Sequence, residues 1–445
     1  MRRVGDCMEK VHRMSGRVSS SSSVGRGTGL TPSVRNGVWG GVVVFTAVFL
    51  LFSRVHEAFP FLWPLKLTFT SCILLLALII ARKGVSSKSF SGLWRSKTFR
   101  YYIVFIVLSA LSVPMSLYPG LSFSFFVELF LQINALFLLG LNVTINRESD
   151  FNFVFFSLLL SLFALNAVAL VSPLYVGGRV TATYSYDPND FALCLLMGVS
   201  LLYPLARVSS GKMRMICYFV ALLSMCSIFL SQSRGAAIAF AAVALIESIM
   251  YDVKYFAKKI ALYGVLFFVA LVSVDASSLG RFSTIADVEE DYNMHSQGGR
   301  IAIWTRGIDM ILQNPIFGVG IKVYRVADGA SHEGGKWSEA HNSFIQAAAE
   351  VGIPGFLVFL LMLFSAFKLA KPVSPEDWLG RGIRLSLVGF VVGGFFLSWA
   401  FHFVLYFILG IAMIRERLIA TSAYNPLLLF GSRKQKIVVN KSRVH

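Results

Sequence analysis

Long apolar runs recur along most of this 445-residue chain, and they constrain its fold more than any other feature. About 20 apolar residues suffice to carry an α-helix across the hydrocarbon core of a bilayer. We predict a span at each of twelve runs: 37–53, 61–81, 101–114, 121–141, 151–172, 191–206, 213–231, 236–250, 260–274, 352–370, 383–400 and 403–414. The predicted fold class is therefore an all-α polytopic membrane protein with about 12 transmembrane helices.

The composition and the distribution of charge support this assignment. Hydrophobic residues make up 56% of the chain and charged residues only 14%, whereas soluble domains carry roughly 25% charged residues. The formal net charge is +18, but most of the 41 lysines and arginines fall on one side of the predicted spans. That side is the cytoplasm by the positive-inside rule. We therefore expect a lipid bilayer, and no nucleic acid, as a partner. Ten cations remain on the opposite, outer side: Arg54, Lys66, Arg179, Arg234, Arg281, Arg300, Arg306, Lys322, Arg325 and Lys336.

The same count puts both termini in the cytoplasm and divides the chain into five regions. Residues 1–36 are predicted to form a disordered cytoplasmic tail and residues 415–445 a basic cytoplasmic tail. Residues 37–274 hold spans one to nine, and residues 352–414 hold spans ten to twelve. Residues 275–351 form one large outer loop, periplasmic in a Gram-negative cell. The first span lacks a following small-x-small cleavage pattern, so we expect it to be retained.

The large outer loop is too long to be a bare connector. Arg300, Trp304 and Ile311 recur at helical spacing, and Asn314-Pro315 is expected to end that helix. The turn Gly318-Val319-Gly320 follows, then a loose segment over 327–337. Helix is predicted to resume around Ser338. The loop is therefore predicted to be partly helical.

Two arginines of the outer side are candidates for binding an anion. Arg234 lies at the outer end of a span, where a charge is costly and usually marks function; the alternative is an arginine that snorkels to the interface. Arg300 follows two glycines at the predicted start of a helix, a favourable place for an anion. The alternative there is a solvated loop arginine. Arg281, Arg306 and Arg325 are further candidates in the same loop.

His341, followed by Asn342, is the candidate general base. A histidine can accept a proton from a hydroxyl at ambient pH, although a lone histidine is also commonly structural. His332 is expected to be exposed, and its spacing from His341 does not fit a zinc site. Asp187 and Asp190 offer two carboxylates for a cation, but we favour Asp190 as the N-cap of the following helix. The five cysteines show no disulfide framework or metal-ligand spacing. We expect no metal and no cofactor.

An ordered set of short motifs resembles the O-antigen ligase and O-antigen polymerase superfamily of bacterial membrane glycosyltransferases. The resemblance covers roughly residues 187–414 and depends on the whole set, since each motif alone is weak. The motifs are Asp187-Pro188-Asn189-Asp190, Ser233-Arg234-Gly235, Gly299-Arg300 with Trp304, Asn314-Pro315, Gly318-Val319-Gly320, and His341-Asn342 with Gln346, Glu350, Gly352, Gly355 and Phe356.

The resemblance implies a reaction and a location. Such enzymes take a glycan from undecaprenyl diphosphate at the periplasmic face of the bacterial inner membrane, with inversion and without a metal or nucleotide. Ligases pass it to lipid A-core, polymerases to another lipid-linked glycan, and some relatives to a protein hydroxyl. By this hypothesis Arg234 and Arg300 grip the diphosphate and His341 deprotonates or orients the acceptor. Further substrate-binding residues are expected to be Asn342, Glu350, Arg179 and Arg306.

Four functions stay open at this point. We favour a ligase over a polymerase of O-antigen or exopolysaccharide and over a protein O-oligosaccharyltransferase. An alternative of another class is a lipid-linked glycan transporter, which predicts charges in the middle of spans. Glu128 and Glu247 are the main acidic residues within the runs, and both lie near predicted span ends. The ligase hypothesis also predicts that Arg234, Arg300 and His341 converge in space.

Overall fold

A computed structural model of the chain describes residues 32–81, 92–146, 150–251, 299–332 and 337–421, and these are mostly helical. The described residues from Gly40 onward belong to one compact unit, Gly40–His445. The α-helices are α1 Pro32–Ser53, α2 Leu67–Ala81, α3 Lys97–Ser112, α4 Pro119–Ser124, α5 Leu136–Thr144, α6 Phe151–Val171, α7 Pro188–Val208, α8 Gly211–Leu230, α9 Arg234–Tyr251, α10 Arg300–Gln313, α11 Tyr324–Ala330, α12 Ser343–Leu369, α13 Trp378–Gly393 and α14 Phe403–Ala420. A π-helical stretch, Phe125–Ala135, joins α4 to α5, and two short 3₁₀ helices, Val55–Ala58 and Pro60–Leu65, follow α1.

Six segments among the described residues are long and apolar enough to cross a membrane. They are Pro60–Ala77, Phe151–Val171, Pro188–Val208, Gly211–Leu230, Arg234–Tyr251 and Ser343–Leu369, and each overlaps one of the predicted runs. Gly40–Ser53 is a shorter apolar helix. The total of twelve spans stays a prediction. The predicted span 260–274, Arg281, Lys336 and the tail residues 1–31 and 422–445 lie outside the described residues.

The core forms where helices that are apolar all round pack against one another. Helix α7 packs against α8 and α13, α13 also packs against α9, and α12 packs against α3. Most of α14 is buried, from Phe403 to Arg415, as expected of a helix without a polar face. Gly382 of α13 lies directly against the backbone of Leu201 in α7, where a side chain would not fit. This close approach explains a glycine inside a helix.

The connectors between helices gather at two ends of the bundle. The loop end contains connectors 54–66, 113–118, 172–187, 231–233 and 394–402, together with the described residues of 314–332 and 337–342. Hydrogen bonds join these connectors to one another: Leu117 N donates to Val319 O over 3.0 Å, and Arg179 Nε donates to Ser231 O over 3.0 Å. The far end contains connectors 209–210 and 370–377. All the described candidate residues of the outer loops therefore lie at or near one end.

The structure corrects the all-helical expectation in the loop before α7. Strand β1, Leu174–Val176, pairs antiparallel with β2, Arg179–Thr181, and Val176 lies opposite Arg179. The turn consists of Gly177 and Gly178, whose φ angles are 58° and 75°. Two glycines with positive φ are the signature of a two-residue hairpin turn. The pattern was present in the sequence as Gly177-Gly178 between β-branched and aromatic residues.

Three predicted boundaries in the second half of the chain are wrong. The predicted span 383–400 ends as a helix at Gly393, and 394–402 is an irregular connector. Helix does not resume at Ser338 but at Ser343, because the side chain of Asn342 accepts hydrogen bonds from Phe344 N and Ile345 N and so caps the helix there. Part of the predicted loose segment 327–337 is helical in α11. The prediction for α10, by contrast, is confirmed from Arg300 to Gln313.

Candidate active site

The connector 394–402, between α13 and α14, is held by the first turn of α12. Ser343 N donates to Gly394 O over 2.7 Å, and Ser343 Oγ donates to Leu397 O over 2.7 Å. The same hydroxyl accepts from Trp399 N at 2.9 Å. Gln346, one turn later, accepts from Ala400 N through its side-chain oxygen at 3.1 Å. The hydrogen-bonding groups of this irregular backbone therefore find their partners in α12, as buried polar groups require.

His341 lies beside the middle of this connector. Its backbone N–H donates to Ser398 Oγ over 2.9 Å, and the residue is half-buried. Its φ of 47° lies in the left-handed region, which costs a residue with a Cβ roughly 1–2 kcal/mol. Such strain persists only where the surroundings impose it, and it is concentrated at functional sites. Ser398 on one side and the Asn342 cap on the other impose it here.

Arg300 lies beside the start of the same connector. It is the first residue of α10, and its guanidinium carbon lies 5.4 Å from the centroid of the Phe396 ring, a cation–π distance. Helix α10 is also fixed to the His341 segment, since Trp304 Nε1 donates to Ala340 O over 3.1 Å. The position of Arg300 relative to His341 is thus set by two contacts.

The helix start that carries Arg234 packs on the same phenylalanine. Arg234 is the first residue of α9, and the next residue, Gly235, packs so closely on Phe396 that an added Cβ would lie 2.7 Å from the Phe396 Cβ. The preceding Gln232 has a φ of 51°, which turns the chain sharply before α9. The structure therefore brings Arg234, Arg300 and His341 to one short stretch, 396–398.

Arg179 ties the hairpin to the turn before Arg234. Its Nη2 donates to Asn189 Oδ1 over 2.7 Å and its Nε to Ser231 O over 3.0 Å. Ser233 Oγ donates to the same Asn189 oxygen over 2.9 Å. Arg179 is thus placed next to the Arg234 turn, and its described contacts are with the protein.

The two aspartates of the Asp187-Pro188-Asn189-Asp190 motif have different partners. Asp187, and not Asp190 as predicted, is the N-cap of α7, because its Oδ1 accepts from Asn189 N and Asp190 N. Asp190 lies in the first turn and accepts from Trp399 Nε1 over 2.5 Å. The motif therefore joins α7 to connector 394–402.

Glu350 organises the glycine turn of the large loop. Its side chain is fully buried and accepts from Lys322 N at 2.8 Å and Tyr324 N at 3.2 Å. The backbone of α12 adds a bond from Val319 N to Ala349 O over 2.7 Å. Gly318 has a φ of 72° and lies directly against this backbone. The Gly-Val-Gly motif is thus a docking turn on α12.

Asn342 and Arg306 also have contacts within the protein. Asn342 is 4% exposed and caps α12 as described above. Arg306 Nε donates to Asp328 Oδ1 over 2.6 Å, and this aspartate is fully buried. Asp328 also accepts from Ser338 N through its other oxygen at 3.1 Å. Direct substrate binding by Asn342, Arg306, Arg179 and Glu350 stays a prediction.

Two cations near this stretch were not singled out from the sequence, although both are among the ten on the outer side. Lys322 Nζ lies 3.0 Å from Glu339 Oε1; burial lowers the pKa of Lys322, but Glu339 and Glu350 raise it more, so that it lies above its usual range. The guanidinium carbon of Arg54 lies 5.9 Å from the ring centroid of Tyr186 and 5.7 Å from that of Phe403. The sequence signal that could have identified them is that few lysines and arginines lie on the outer side at all.

His402 ends the connector and was also missed. Its ring stacks on Trp399 with centroids 3.8 Å apart. Burial, followed by the charges of Arg54 and Lys322, holds the pKa of His402 well below its usual value. His402 is therefore a neutral imidazole at neutral pH. Among the described residues, no group of three or more His, Cys, Asp or Glu side chains is placed to hold a metal ion.

The fold and the site together define a class: a helical membrane protein with a cluster of arginines and a histidine at one end of its helices. Residues 219–360 match a family model described as O-antigen ligase, and this range includes Arg234, Arg300 and His341. The chain is also 30% identical over 138 residues to the exopolysaccharide production protein ExoQ of Rhizobium meliloti (strain 1021), a match that covers 27% of this chain and 32% of that protein. The chain thus spans about a third of the length of that relative. Over this segment the chain is similar to the O-antigen ligase and polymerase superfamily, and the resemblance predicted from the motifs is confirmed.

Proposed function

We propose that this protein is a glycosyltransferase of the O-antigen ligase type. It moves a glycan from undecaprenyl diphosphate to an acceptor hydroxyl, that of lipid A-core, at the periplasmic face of the bacterial inner membrane. Both termini lie in the cytoplasm in this proposal. The observation that carries it is the common contact of the Arg234, Arg300 and His341 segments with 396–398. The superfamily supports the reaction class.

The two arginines suit a diphosphate leaving group. When the bond between the anomeric carbon and the diphosphate oxygen breaks, its electron pair stays on that oxygen and negative charge develops there. Fixed guanidinium groups stabilise such charge without reorganising, and they bind phosphate oxygens through two parallel hydrogen bonds. Arg300 adds its charge to the N-terminus of α10, which itself favours an anion. The diphosphate would therefore bind on the Phe396 side of the connector.

His341 suits the role of general base. The acceptor oxygen forms a bond to the anomeric carbon from the face opposite the diphosphate, and its proton passes to the imidazole. This route gives inversion and balances the proton and the electron pair. The bond from His341 N to Ser398 and the contact of Trp304 with Ala340 fix the backbone on which the imidazole is mounted. A base held in this way costs little entropy at the moment of reaction.

The remaining site residues support the reaction by positioning. Asn342 fixes where α12 begins, one residue after His341. Glu350 holds the backbone of Lys322 and Tyr324 against α12. Arg179 holds the turn that precedes Arg234. Neither a metal nor a cofactor is part of the proposed mechanism.

A polymerase is the second candidate, and one observation favours it. The relative that matches this chain is named for exopolysaccharide production, a process in which glycans are extended. The same arginines and histidine would serve, because both reactions start from a carrier diphosphate. The two candidates differ only in the acceptor.

The test compares complemented deletion strains. The gene is deleted and replaced by wild type, by His341→Ala, or by the control His332→Ala, which removes another histidine of the large loop. We expect His341→Ala to reduce transfer about 100-fold or more at equal protein level, and His332→Ala to leave it intact. Undiminished transfer in His341→Ala would overturn the assignment of the base.

The products of the deletion strain separate the candidate functions. Lipid A-core without long chains, with long chains accumulating on the carrier, indicates a ligase. Carrier and core that both bear single repeat units indicate a polymerase. Unchanged lipopolysaccharide would redirect the search to another glycan or a protein acceptor. A purified protein that moves intact donor across a vesicle without forming a new glycosidic bond would instead be a transporter.

A further inference from the structure

A cavity of about 720 Å³ opens at the loop end, and the mechanism proposed above does not use it. Its walls come from the segment after α1, from the start of α2, from Glu128 and from the loop before α7. All of these lie outside residues 219–360, the range that matches the family model. The volume falls within the range of about 300–1,000 Å³ typical of ligand sites. The lining includes Arg54, Glu57, Trp63, Lys66, Glu128 and Tyr184.

One wall of the cavity is a preorganised polar network. Arg54 Nη1 donates to Ser185 Oγ over 2.8 Å and lies 3.2 Å from Glu57 Oε1. Glu57 in turn accepts from Ser185 N through its second oxygen at 3.0 Å. The Nε of Arg54 is buried and has no hydrogen-bond partner among the described residues. That nitrogen is not accessible from the cavity, and what the wall offers to a ligand is the guanidinium and carboxylate that Ser185 holds in place.

Another wall is aromatic. Trp63 meets Tyr184 edge to face, with ring centroids 5.9 Å apart and an interplanar angle of 83°. Trp63 is 51% exposed and Tyr184 is 70% exposed. A sugar ring presents both C–H faces, which pack on aromatic rings, and hydroxyls, which pair with carboxylates, guanidinium groups and other hydroxyls. This combination of walls is complementary to a saccharide.

The cavity lies next to the His341 side of the active site. Arg54 contacts the rings of Tyr186 and Phe403, and the Tyr186 ring lies 6.3 Å from that of His402. His402 stacks on Trp399, which directly follows the Ser398 that binds His341 N. Along connector 394–402, Phe396 contacts the arginine segments, Ser398 contacts His341, and His402 lies towards the cavity. A general base that lies between a bound donor and a bound acceptor requires the same order.

We propose that this cavity binds the saccharide part of the acceptor, with Trp63 and Tyr184 as the packing surface and Arg54, Glu57 and Glu128 as the polar contacts. The proposal depends on the function proposed above for the assignment to the acceptor. It adds that acceptor choice is determined by the first half of the chain, whereas the donor diphosphate is bound by the matched segment.

The test measures donor and acceptor kinetics with purified full-length protein in detergent. The variants are Trp63→Ala, Tyr184→Ala and Glu128→Gln; the control is Tyr175→Ala, an aromatic side chain that is 67% exposed on the neighbouring hairpin and outside the cavity. We expect Trp63→Ala to raise the KM for the lipid A-core acceptor about tenfold, in line with the loss of one aromatic packing contact. The KM for donor and the kcat should stay within about twofold. An unchanged acceptor KM in all three cavity variants, or a raised donor KM instead, would overturn the proposal.

A second measurement separates this proposal from the proposed function. Delipidated core oligosaccharide is titrated into wild type and Trp63→Ala without donor, and binding is followed by ligand-observed NMR. Weaker binding to Trp63→Ala than to Tyr175→Ala supports the cavity even if wild type transfers no glycan, in which case only the proposed function fails. Equal binding to both variants, or no binding to wild type, overturns the cavity assignment even if transfer is normal.

Discussion

The two ends of the bundle differ in the backbone that they contain. With the exception of Gly211, every described residue with a positive φ lies in a connector of the loop end or contacts one. These residues are Arg54, Lys66, Gln232, Lys322 and His341, with Gly177, Gly178, Gly318, Gly320 and Gly352. Five of the ten carry a Cβ, and each of those costs roughly 1–2 kcal/mol in the left-handed region. The loop end therefore stores conformational strain.

The far end has a buried ion pair instead. The side chains of Arg415 and Asp377 are 1% and 0% exposed and form a salt bridge. Arg415 Nη1 also donates to Leu369 O over 2.7 Å, and Asp377 caps α13 by accepting from Gly380 N over 3.0 Å. The carbonyl of Leu369 and the carboxylate of Asp377 are thus partnered within the protein. The comparison indicates that the far end holds the helices together. The loop end instead holds residues, with their side chains, in conformations that they would not adopt freely.

The largest effect on stability is expected at the far end. Arg415→Met leaves the Asp377 carboxylate buried without its cation and should lower the free energy of unfolding by about 3–5 kcal/mol. The double variant Arg415→Met with Asp377→Asn removes that charge while keeping a capping side chain, and should recover part of the loss. Chemical unfolding in detergent measures both. Turnover per folded molecule should match wild type; a specific loss of turnover would contradict the division of roles between the ends.

A pair of glycine substitutions compares the two ends directly. Gly352→Ala would place a Cβ against the carbonyl of Ile316 at a φ of 76°, whereas Gly211→Ala, at a φ of 57°, meets no atom within 4 Å. We expect Gly211→Ala to cost about 1–2 kcal/mol of conformational strain and Gly352→Ala about 2–4 kcal/mol, because overpacking is added. Gly352→Ala should also reduce transfer, since the glycine turn docks on this part of α12. Equal costs at the two positions would show that the contact with Ile316 relaxes easily.

The smallest effect is a pH dependence at the loop end. Because the pKa of His402 is lowered in the folded protein, the unfolded chain binds this proton more readily as the pH falls below about 6.5. Stability from this group is therefore present above about pH 6.5 and is lost on acidification, by up to about 1 kcal/mol per pH unit. Thermal unfolding of wild type and His402→Gln between about pH 7 and pH 5 measures it. The variant should lose less stability on acidification; identical slopes would mean that other groups account for the whole dependence.

The sequence predicted the pieces of the site better than their arrangement. Helix α10 and the Gly318-Val319-Gly320 turn followed from local signals, namely helical spacing, a proline and two glycines. The importance of Arg234, Arg300 and His341 followed from the scarcity of polar residues near the bilayer and from the order of the motifs. These signals are local in the chain, so they are readable from one sequence.

The arrangement depends on long-range contacts that leave no such signal. Residues 395–401 read as the end of a span because they are mostly apolar, and only the bonds from Ser343 and Gln346 show why the helix stops at Gly393. Likewise, nothing in the sequence near Glu350 indicates that it accepts from Lys322 N and Tyr324 N, 28 and 26 residues earlier. The bond from Trp399 to Asp190, 209 residues apart, likewise leaves no local signal. The Asp187 cap is different, because it is local and was readable from Pro188 at the first helical position.

The connector 394–402 has one more consequence, because it lies beyond residue 360, where the match to the family model ends. The segment that supplies the arginines and the histidine does not contain the stretch that aligns them. A hybrid of this chain with a relative, joined shortly after residue 360, would inherit reactive groups from one parent and their alignment from the other. Such hybrids should work only where both parents place an aromatic ring and a hydroxyl as Phe396 and Ser398 do, so the functional unit of this protein is longer than the segment that matches the family model.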